Sequence, residues 1–339
     1  MRVFVSRTTG GIDSLRLEDR PAPGPLGSGQ VRIAMRAASL NYRDLLVLSG
    51  GVRSALTDGL IPCSDGAGEV VEAAPDVWRV KVGDRAALTF NPDWIAGPWR
   101  PSPGAAGRGG AIPGVMCDEL VVSQHEAVRL PAHLTFEDGA ALPCAAVTAW
   151  RSLCGAGPLL PGMTVLLQGG GGVSVFALQF AKLFGARVIM TSSNPERCAR
   201  LAGLGADETV DYTAHPEWSK VVRELTSGEG VDLTIEVGGA KTVEQSLAAT
   251  RMGGRVTLVG LLTGLPQSSG VFAAGVEVGS AKVGSREDLE ALIRAMAFHG
   301  VRPVIDSRFS FEALPEGLRA LQQGRHLGKI VVNFDAGAQ

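Results

Sequence analysis

One stretch limits what this 339-residue chain can fold into more than any other. Thr164-Val-Leu-Leu-Gln168 is followed by Gly169, Gly170, Gly171 and Gly172, and then by Val173-Ser-Val-Phe-Ala-Leu-Gln-Phe-Ala-Lys182. The apolar run predicts a buried strand and the last segment predicts a helix. The glycines between them allow a tight turn, because they take left-handed backbone angles at no steric cost. They also let the backbone approach an anion without a Cβ in the way. The N-terminus of the helix then offers free N–H groups and the positive end of its dipole. A glycine run alone is no more than a tight strand-to-helix turn; the flanking strand, the helix and the further strand–helix units make it a dinucleotide pyrophosphate site.

Those further units follow at regular spacing. Strands are expected at Thr164 to Gln168, Arg187 to Thr191, Glu208 to Asp211, Val231 to Glu236 and Arg255 to Val259, with helices at Val173 to Phe184, Pro195 to Leu204, Pro216 to Thr226 and Thr242 to Thr250. The prolines fall in first turns and Gly185, Gly205 and Gly228 fall at helix ends, as helix chemistry favours. Apolar strands alternating with helices predict an α/β doubly wound parallel sheet. The first third reads differently. Val31 to Ala37, Gly68 to Ala73, Arg85 to Phe90 and Glu119 to Val122 are short strands between Pro, Gly and Asp turns, a β-rich barrel or sandwich. Asn91 to Gly114, with Trp94 and Trp99, is a long loop of the kind that is functional or mobile. After Val283 a helix (Arg286 to His299), a second helix (Phe311 to Gln323) and a strand (Ile330 to Phe334) are expected, the strand returning to the first domain.

Composition excludes several classes. A net charge of -2 and the lack of a basic run interleaved with aromatics argue against nucleic acid. No uncharged apolar stretch reaches about 18 residues, so no membrane span is expected. Met1 to Val5 is a short strand without the apolar core of a signal peptide, which predicts a cytoplasmic protein. Five scattered cysteines with no C-x-x-C spacing fit buried thiols better than a disulfide framework or a structural zinc. The histidines show no metal spacing and are expected at the surface, and no Ser-His-Asp order supports hydrolysis.

The end of the second strand bears on cofactor choice. An acid normally sits there, about 20 residues beyond the turn, and takes hydrogen bonds from the adenosine ribose. This chain has Thr191-Ser-Ser-Asn-Pro-Glu-Arg197. Ser192 leaves no carboxylate to repel a 2′-phosphate, and Ser193 and Arg197 can donate to one. NADPH is therefore expected over NADH, with NADH still admissible. The alternative is that Arg197 is a solvated charge while the serines and Asn194 cap the helix. Ligands gather at strand carboxyl ends, which adds Val237, Gly238 and the Gly260-Leu261-Leu262 segment to the cofactor set.

Asn41-Tyr-Arg-Asp-Leu-Leu46, Pro62-Cys-Ser-Asp-Gly-Ala-Gly68, Val82-Gly-Asp-Arg85, Leu142-Pro-Cys-Ala-Ala-Val-Thr-Ala-Trp150, Gly328-Lys329 and the glycine turn together resemble the medium-chain dehydrogenase/reductase superfamily. The resemblance runs over essentially the whole chain and is nearest to the zinc-independent alcohol dehydrogenase-like and quinone oxidoreductase branches. It implies a GroES-like catalytic domain from residues 1–145 and 283–339, a Rossmann domain at 146–282, and an active site between them. It also implies that Thr148 faces the nicotinamide carboxamide. Lys329 is expected to reach the cofactor, and the family's habit of joining sheet edges points to a homodimer with an interface strand within Gly275 to Val283.

Zinc-dependent relatives carry a cysteine where this chain has Asn41 and a His-Glu pair where it has Ser64 and Asp65; of the ligand positions only Cys144 coincides. One thiolate cannot hold a catalytic zinc, which needs three protein ligands, so no metal is expected. The structural cysteine lobe of those relatives is replaced by the Asn91 to Gly114 loop. Without a metal, help for a developing oxyanion is modest. This favours a conjugated enone or quinone, whose accepted charge delocalises. Candidate catalytic groups are Asn41 as an amide donor, Tyr42 as a donor or packing group, Arg43 at an oxyanion or phosphate, and Asp65 as an organiser. Each has a plainer alternative: Tyr42 in the core, Arg43 solvated, Asp44 as a helix cap. Two other functions stay open, an NAD(P)-dependent alcohol dehydrogenase or carbonyl reductase, and an NADPH-binding protein without turnover.

Overall fold

In a computed structural model, residues 1–7, 10–51, 59–100, 107–155, 157–260, 262–264 and 274–334 are described, and the chain falls into two units, Met1–Val147 with Val283–Gln339 and Thr148–Lys282. The first unit opens with an antiparallel ribbon, β1 (Arg2–Val5) and β2 (Arg16–Asp19). Its main sheet starts with β3 (Gln30–Ser39), where buried and half-buried residues alternate along most of the strand, the period-two pattern of a strand with one face on a core. Next come the short helix α1 (Tyr42–Leu48), β4 (Asp65–Ala73), β5 (Arg85–Leu88), β6 (Glu119–Ser123) and β7 (Ala127–Arg129). Gly68 lets β4 close on β3, since a Cβ there would sit 2.2 Å from the Ala34 carbonyl oxygen. β5 stops two residues short of the expected Phe90. Its continuation is pulled toward Glu126, whose carbonyl takes the Thr89 N–H at 2.9 Å. Helix α2 (Phe136–Ala140) leads into a π-helical turn, Leu142–Ala146.

The second unit begins in α3 (Val147–Cys154) and continues with β8 (Thr164–Gln168), α4 (Gly172–Leu183), β9 (Arg187–Ser192), α5 (Pro195–Gly203), β10 (Glu208–Asp211), α6 (Trp218–Leu225), β11 (Val231–Glu236), α7 (Val243–Ala249), β12 (Thr250–Leu258) and β13 (Glu277–Ser280). The strands are all parallel, in the order β10-β9-β8-β11-β12-β13. This is the doubly wound order that reverses direction between β8 and β11. The five strands expected from apolar runs are joined by β13, which lies in the Gly275 to Val283 segment where the resemblance implies a strand. β13 is short and exposed along its length, so its sequence lacks the apolar run that marks a buried strand. Gly185, Gly205 and Gly228 take positive φ after their helices. Pro216, expected in a first turn, lies before α6 instead. Gln245 of α7 takes over the helix start, donating to the Pro216 carbonyl at 2.8 Å and accepting the Ser219 N–H at 2.9 Å.

Returning to the first unit, α8 (Arg286–His299) starts on Ser285, whose hydroxyl and the Asp288 carboxylate form a capping box, and ends on Gly300 at φ 65°. Then come β14 (Ile305–Ser310), α9 (Leu314–Gln323) and β15 (Lys329–Asn333). Phe311, expected to begin α9, instead packs between Phe4 and Phe334, with ring centroids 5.3 and 4.8 Å away. Burial of an aromatic ring in that core is worth about 2–3 kcal/mol, more than one helical residue contributes. β15 pairs antiparallel with β3 and parallel with β14, giving a seven-stranded sheet in the order β14-β15-β3-β4-β5-β7, with β6 also on β3. The C-terminal strand thus returns to the N-terminal sheet. No helix among the described residues is long and apolar enough to cross a membrane.

Candidate functional site

In the first unit, polar groups gather where β3 turns into α1. Asn41 is the extended residue at that corner, and its N–H donates to the Asp44 carboxylate one turn on at 2.8 Å. Asp44 is thus the helix cap of the plainer sequence reading. The Asn41 side chain stands in the capping box at the head of α1, and its Oδ1 accepts Lys329 Nζ at 2.7 Å. Lys329 stands at the start of β15, 3% exposed, and gives a second N–H to the Leu40 carbonyl at 2.7 Å. Gly328, just before it, packs on Val304: its φ is 85°, and a Cβ would lie 2.2 Å from Val304 O.

Asn41 Nδ2 lies 3.5 Å from Ser64 Oγ, at the outer limit of a hydrogen bond. The Ser64 hydroxyl donates to Asp65 Oδ1 at 2.7 Å, and Asp65 Oδ2 accepts the Cys144 N–H at 2.9 Å from the π-helical turn. Such turns recur at functional positions in helices. Ser64 and Asp65 are fully buried. Burial raises the Asp65 carboxyl above the usual range, opposed by Lys329, Ser64, Asn41 and the Cys144 N–H. It lifts Asp44 to about 6 against the Arg43 charge and the Asn41 N–H, with Asp65 adding to the rise and Lys329 opposing it. It lowers the Lys329 ammonium against the pull of Asp65 and Asp44, and holds the Cys63 and Cys144 thiols well up.

Arg43 is not solvated. Its Nη1 donates to the Arg108 carbonyl at 2.9 Å and lies 3.4 Å from Asp44 Oδ1, and its guanidinium sits 4.8 Å above the Phe90 ring. Tyr42 is on the open face of α1, 43% exposed, rather than in the core. Arg108 forms a buried ion pair with Glu126, which also accepts the Ser123 N–H at 3.0 Å. This pair anchors residues 107–114 beside Pro62 and Cys63. A Cβ on Gly109 or Gly114 would collide with that backbone, and Cys63 takes a positive φ of 66°. Trp94 is buried, with its indole N–H on the Gly97 carbonyl. His125, His133 and His326, expected at the surface, are half-buried: His125 faces Arg286 and His133 the Val301 carbonyl.

In the second unit the glycine turn joins β8 to α4. Gly169 is left-handed at φ 67°, with its N–H on the Thr191 carbonyl, and Gly171 is the extended residue before the helix. A Cβ on Gly169 or Gly171 would meet nothing within 4 Å, so open space lies above the turn. Gly170, Gly172 and Val173 complete it at the head of α4. Ser192 ends β9; its Oγ is buried with no hydrogen-bond partner among the described residues. Ser193 follows it, and Asn194, not a serine, caps α5 through the Arg197 N–H at 2.9 Å. Thr148 is buried in α3. Gly260 packs so closely on Val237 that a Cβ would be 2.1 Å from its carbonyl oxygen. Thr263 ties the two strand ends together by donating to the Gly238 carbonyl. Leu262 is half exposed, and Leu261 lies outside the described residues.

A set of residues at the carboxyl ends of β8 and β11 escaped the sequence reading. Glu236, fully buried, accepts through Oε1 from Gly238 N (2.7 Å), Gly239 N (2.9 Å) and Thr242 Oγ1 (2.6 Å), and through Oε2 from Gln168 Nε2 (2.7 Å) and the Ser246 hydroxyl. These strands flank the point where the sheet reverses direction, where ligands of such sheets bind. The signal was a polar residue closing each of two apolar strands, Gln168 and Glu236.

Comparison with known proteins follows this division of the chain. A family model described as alcohol dehydrogenase GroES-like domain matches residues 27–132, and one described as zinc-binding dehydrogenase matches residues 172–298. A zinc-type alcohol dehydrogenase-like protein of Schizosaccharomyces pombe is 35% identical over 349 residues, covering 99% of both chains. A crystal structure assigned as an alcohol dehydrogenase of Sinorhizobium meliloti 1021 superposes with a TM-score of 0.91 at 36% identity, over 98% of each chain. Another, of an NAD-dependent alcohol dehydrogenase, gives 0.89 at 33% identity over 99% of this chain and all of that one.

Proposed function

The chain belongs to the medium-chain dehydrogenase/reductase superfamily, and on that premise we propose that it is a zinc-free, nicotinamide-dependent oxidoreductase that prefers NADPH and reduces a conjugated enone or quinone. The observation that carries this reading is the Asn41 cluster. A catalytic zinc takes anionic or neutral lone-pair donors, with thiol ligands deprotonated. The donors present do not fit one. The Asn41 oxygen is occupied by an ammonium at 2.7 Å and the Ser64 hydroxyl is donating to Asp65, which leaves Cys144 as the one thiol at the ligand positions. A dication beside Lys329 would also meet a fixed positive charge.

The nucleotide side fits a phosphorylated dinucleotide. The open, left-handed Gly169 turn and the head of α4 would hold the pyrophosphate, with Gly170, Gly171, Gly172 and Val173 around it. Ser193 and Arg197 would take the 2′-phosphate, and the buried Ser192 at the end of β9 sets no carboxylate against it. Gly238, Val237, Gly260, Leu261 and Leu262 would line the remainder, and Thr148 the carboxamide. Reduced nicotinamide, when bound, supplies the hydride. The chain's part is to orient the acceptor and offer donors where negative charge develops on its oxygen. We assign that part to Asn41, with Asp65 holding the cluster, Arg43 carrying a nearby positive charge and the exposed Tyr42 contacting the acceptor.

Steady oxidation of NADPH with a panel of quinones and enones tests the reading. Tight NADPH binding without turnover on any acceptor would leave a binding protein, and about one tightly bound zinc per chain would remove the metal-free claim. A second reading, an NAD-dependent alcohol dehydrogenase, is favoured by the 33%-identical structure of that description; alcohol oxidation with NAD exceeding NADPH-driven reduction would establish it. For cofactor choice, Ser192→Asp should weaken NADPH but not NADH, and Arg197→Ala should weaken NADPH more than NADH. The exposed edge strand β13 supports a homodimer joined edge to edge; Val278→Pro should then yield monomers by light scattering.

A further inference from the structure

Resting on the oxidoreductase reading, we propose that Lys329 is a positioning residue, which fixes the Asn41 amide with its N–H end, not its oxygen, turned toward the acceptor. A carboxamide has two ends of nearly equal shape, one accepting and one donating. In an unconstrained pocket it can present either. Here the choice is removed at both ends of a four-residue chain of hydrogen bonds. An ammonium has three donors and no acceptor, so the atom 2.7 Å from Lys329 Nζ must be the Asn41 oxygen. The Asn41 nitrogen then faces Ser64 Oγ. Asp65 accepts through both oxygens, Oδ1 from the Ser64 hydroxyl at 2.7 Å and Oδ2 from the Cys144 N–H at 2.9 Å, so Ser64 spends its proton on Asp65 and turns a lone pair toward Asn41.

The polarity therefore runs one way, from Lys329 through Asn41 and Ser64 to Asp65. The ends are anchored to backbone, Lys329 by the Leu40 carbonyl and Asp65 by the Cys144 N–H. Asn41 Nδ2 stands 3.5 Å from Ser64 Oγ and also gives a hydrogen bond to Asp65, and an amide nitrogen carries two hydrogens. An N–H held in this orientation is what an acceptor oxygen gaining negative charge requires. The alternative orientation would present a lone pair to that oxygen and repel it.

Lys329→Met keeps the length of the stem and removes the donor. The expected result is a kcat for the best acceptor lowered by ~10-fold or more, within the ~100- to 1,000-fold bound set by outright loss of an oxyanion donor. NADPH affinity should change by less than about twofold, since the lesion acts through Asn41. In an Asn41→Ala background the same substitution should lower kcat no further. Additive losses in that cycle, or weaker NADPH binding at unchanged kcat, would overturn the proposal, the latter marking Lys329 as a cofactor contact. If the lone substitution leaves Asp65 unpaired and the chain unfolded, Lys329→Met with Asp65→Asn removes both charges and is compared with Asp65→Asn alone, with the same outcomes decisive. If the wild type turns over no acceptor, the oxidoreductase reading fails by itself. Positioning is then read from the Asn41 side-chain ¹⁵N resonance, identified by its loss in Asn41→Asp, which should move in Lys329→Met further than any other asparagine signal; an unmoved resonance refutes it.

Discussion

Replacing Glu236 takes an acceptor away from five donors at the ends of β8 and β11, and the structure indicates which of them can recover. Gln168 Nε2 and Ser246 Oγ are already 2.7 Å apart and can pair with each other. Thr242 Oγ1 has the Gly239 carbonyl at 3.3 Å as a second acceptor, and Gly238 N has a long contact with Gln168 Oε1 at 3.3 Å. Gly239 N is buried and donates to Glu236 Oε1 at 2.9 Å. Alanine at 236 thus strands one buried N–H fully and a second in part. At about 1–3 kcal/mol per unsatisfied group, less some relief from no longer burying a carboxylate, the expected loss is about 2–4 kcal/mol. Glutamine is milder. Its oxygen can serve Gly238, Gly239 and Thr242, but its NH₂ then opposes Gln168 Nε2. Flipping Gln168 only moves the conflict to the Val237 and Gly238 N–H groups. One donor clash should cost about 1–2 kcal/mol. Urea unfolding followed by tryptophan fluorescence in a variant that keeps Trp218, buried in the core of the same unit, as its one tryptophan measures both. An alanine variant losing under about 1 kcal/mol, or a glutamine variant as stable as the parent, would refute the hydrogen-bond reasoning.

Gly260→Ala should lower stability by about 1–3 kcal/mol, because the new Cβ meets the Val237 carbonyl, and backbone cannot step aside as a side chain can; an unchanged melting temperature would contradict this. Glu126→Ala leaves the Arg108 charge buried and unpaired and should cost about 3–5 kcal/mol, while pairing it with Arg108→Met should cost less than the two single losses summed, as denaturant titration of all three variants would reveal. Asp44 is raised in the folded state to about 6 by burial, so its contribution favours folding below its unfolded value near 4 and is lost as pH rises through 6. Relative to Asp44→Asn, the parent should therefore lose on the order of 1–3 kcal/mol between pH 4 and pH 7, and a pH-independent difference would remove the assignment.

Many of the helices and strands were legible in the amino-acid order because their signals are local. Apolar runs, capping residues such as Ser285 with Asp288, and terminal glycines such as Gly300 act within one turn or one strand, and they mark α8 to the residue. Two of the misplaced boundaries share one cause, whereas β12 starts at Thr250 in place of the expected Arg255. Pro216 lost its helix to Gln245, 29 residues on, and Phe311 left its helix for rings at positions 4 and 334. β13 left no apolar run to read, because a solvated edge strand needs no apolar face, and only the family resemblance pointed to a strand within Gly275 to Val283. The sequence by itself determined the two kinds of domain, the glycine turn and the side-chain types available for chemistry. Tertiary structure alone decided which of those side chains meet. Asn41 and Lys329 stand 288 residues apart, and Gln168 and Glu236 stand 68 apart. Local periodicity carries no information about such partners: they are brought together when β15 docks on β3 and β11 on β8, and the geometry of those pairings then orients each donor and acceptor.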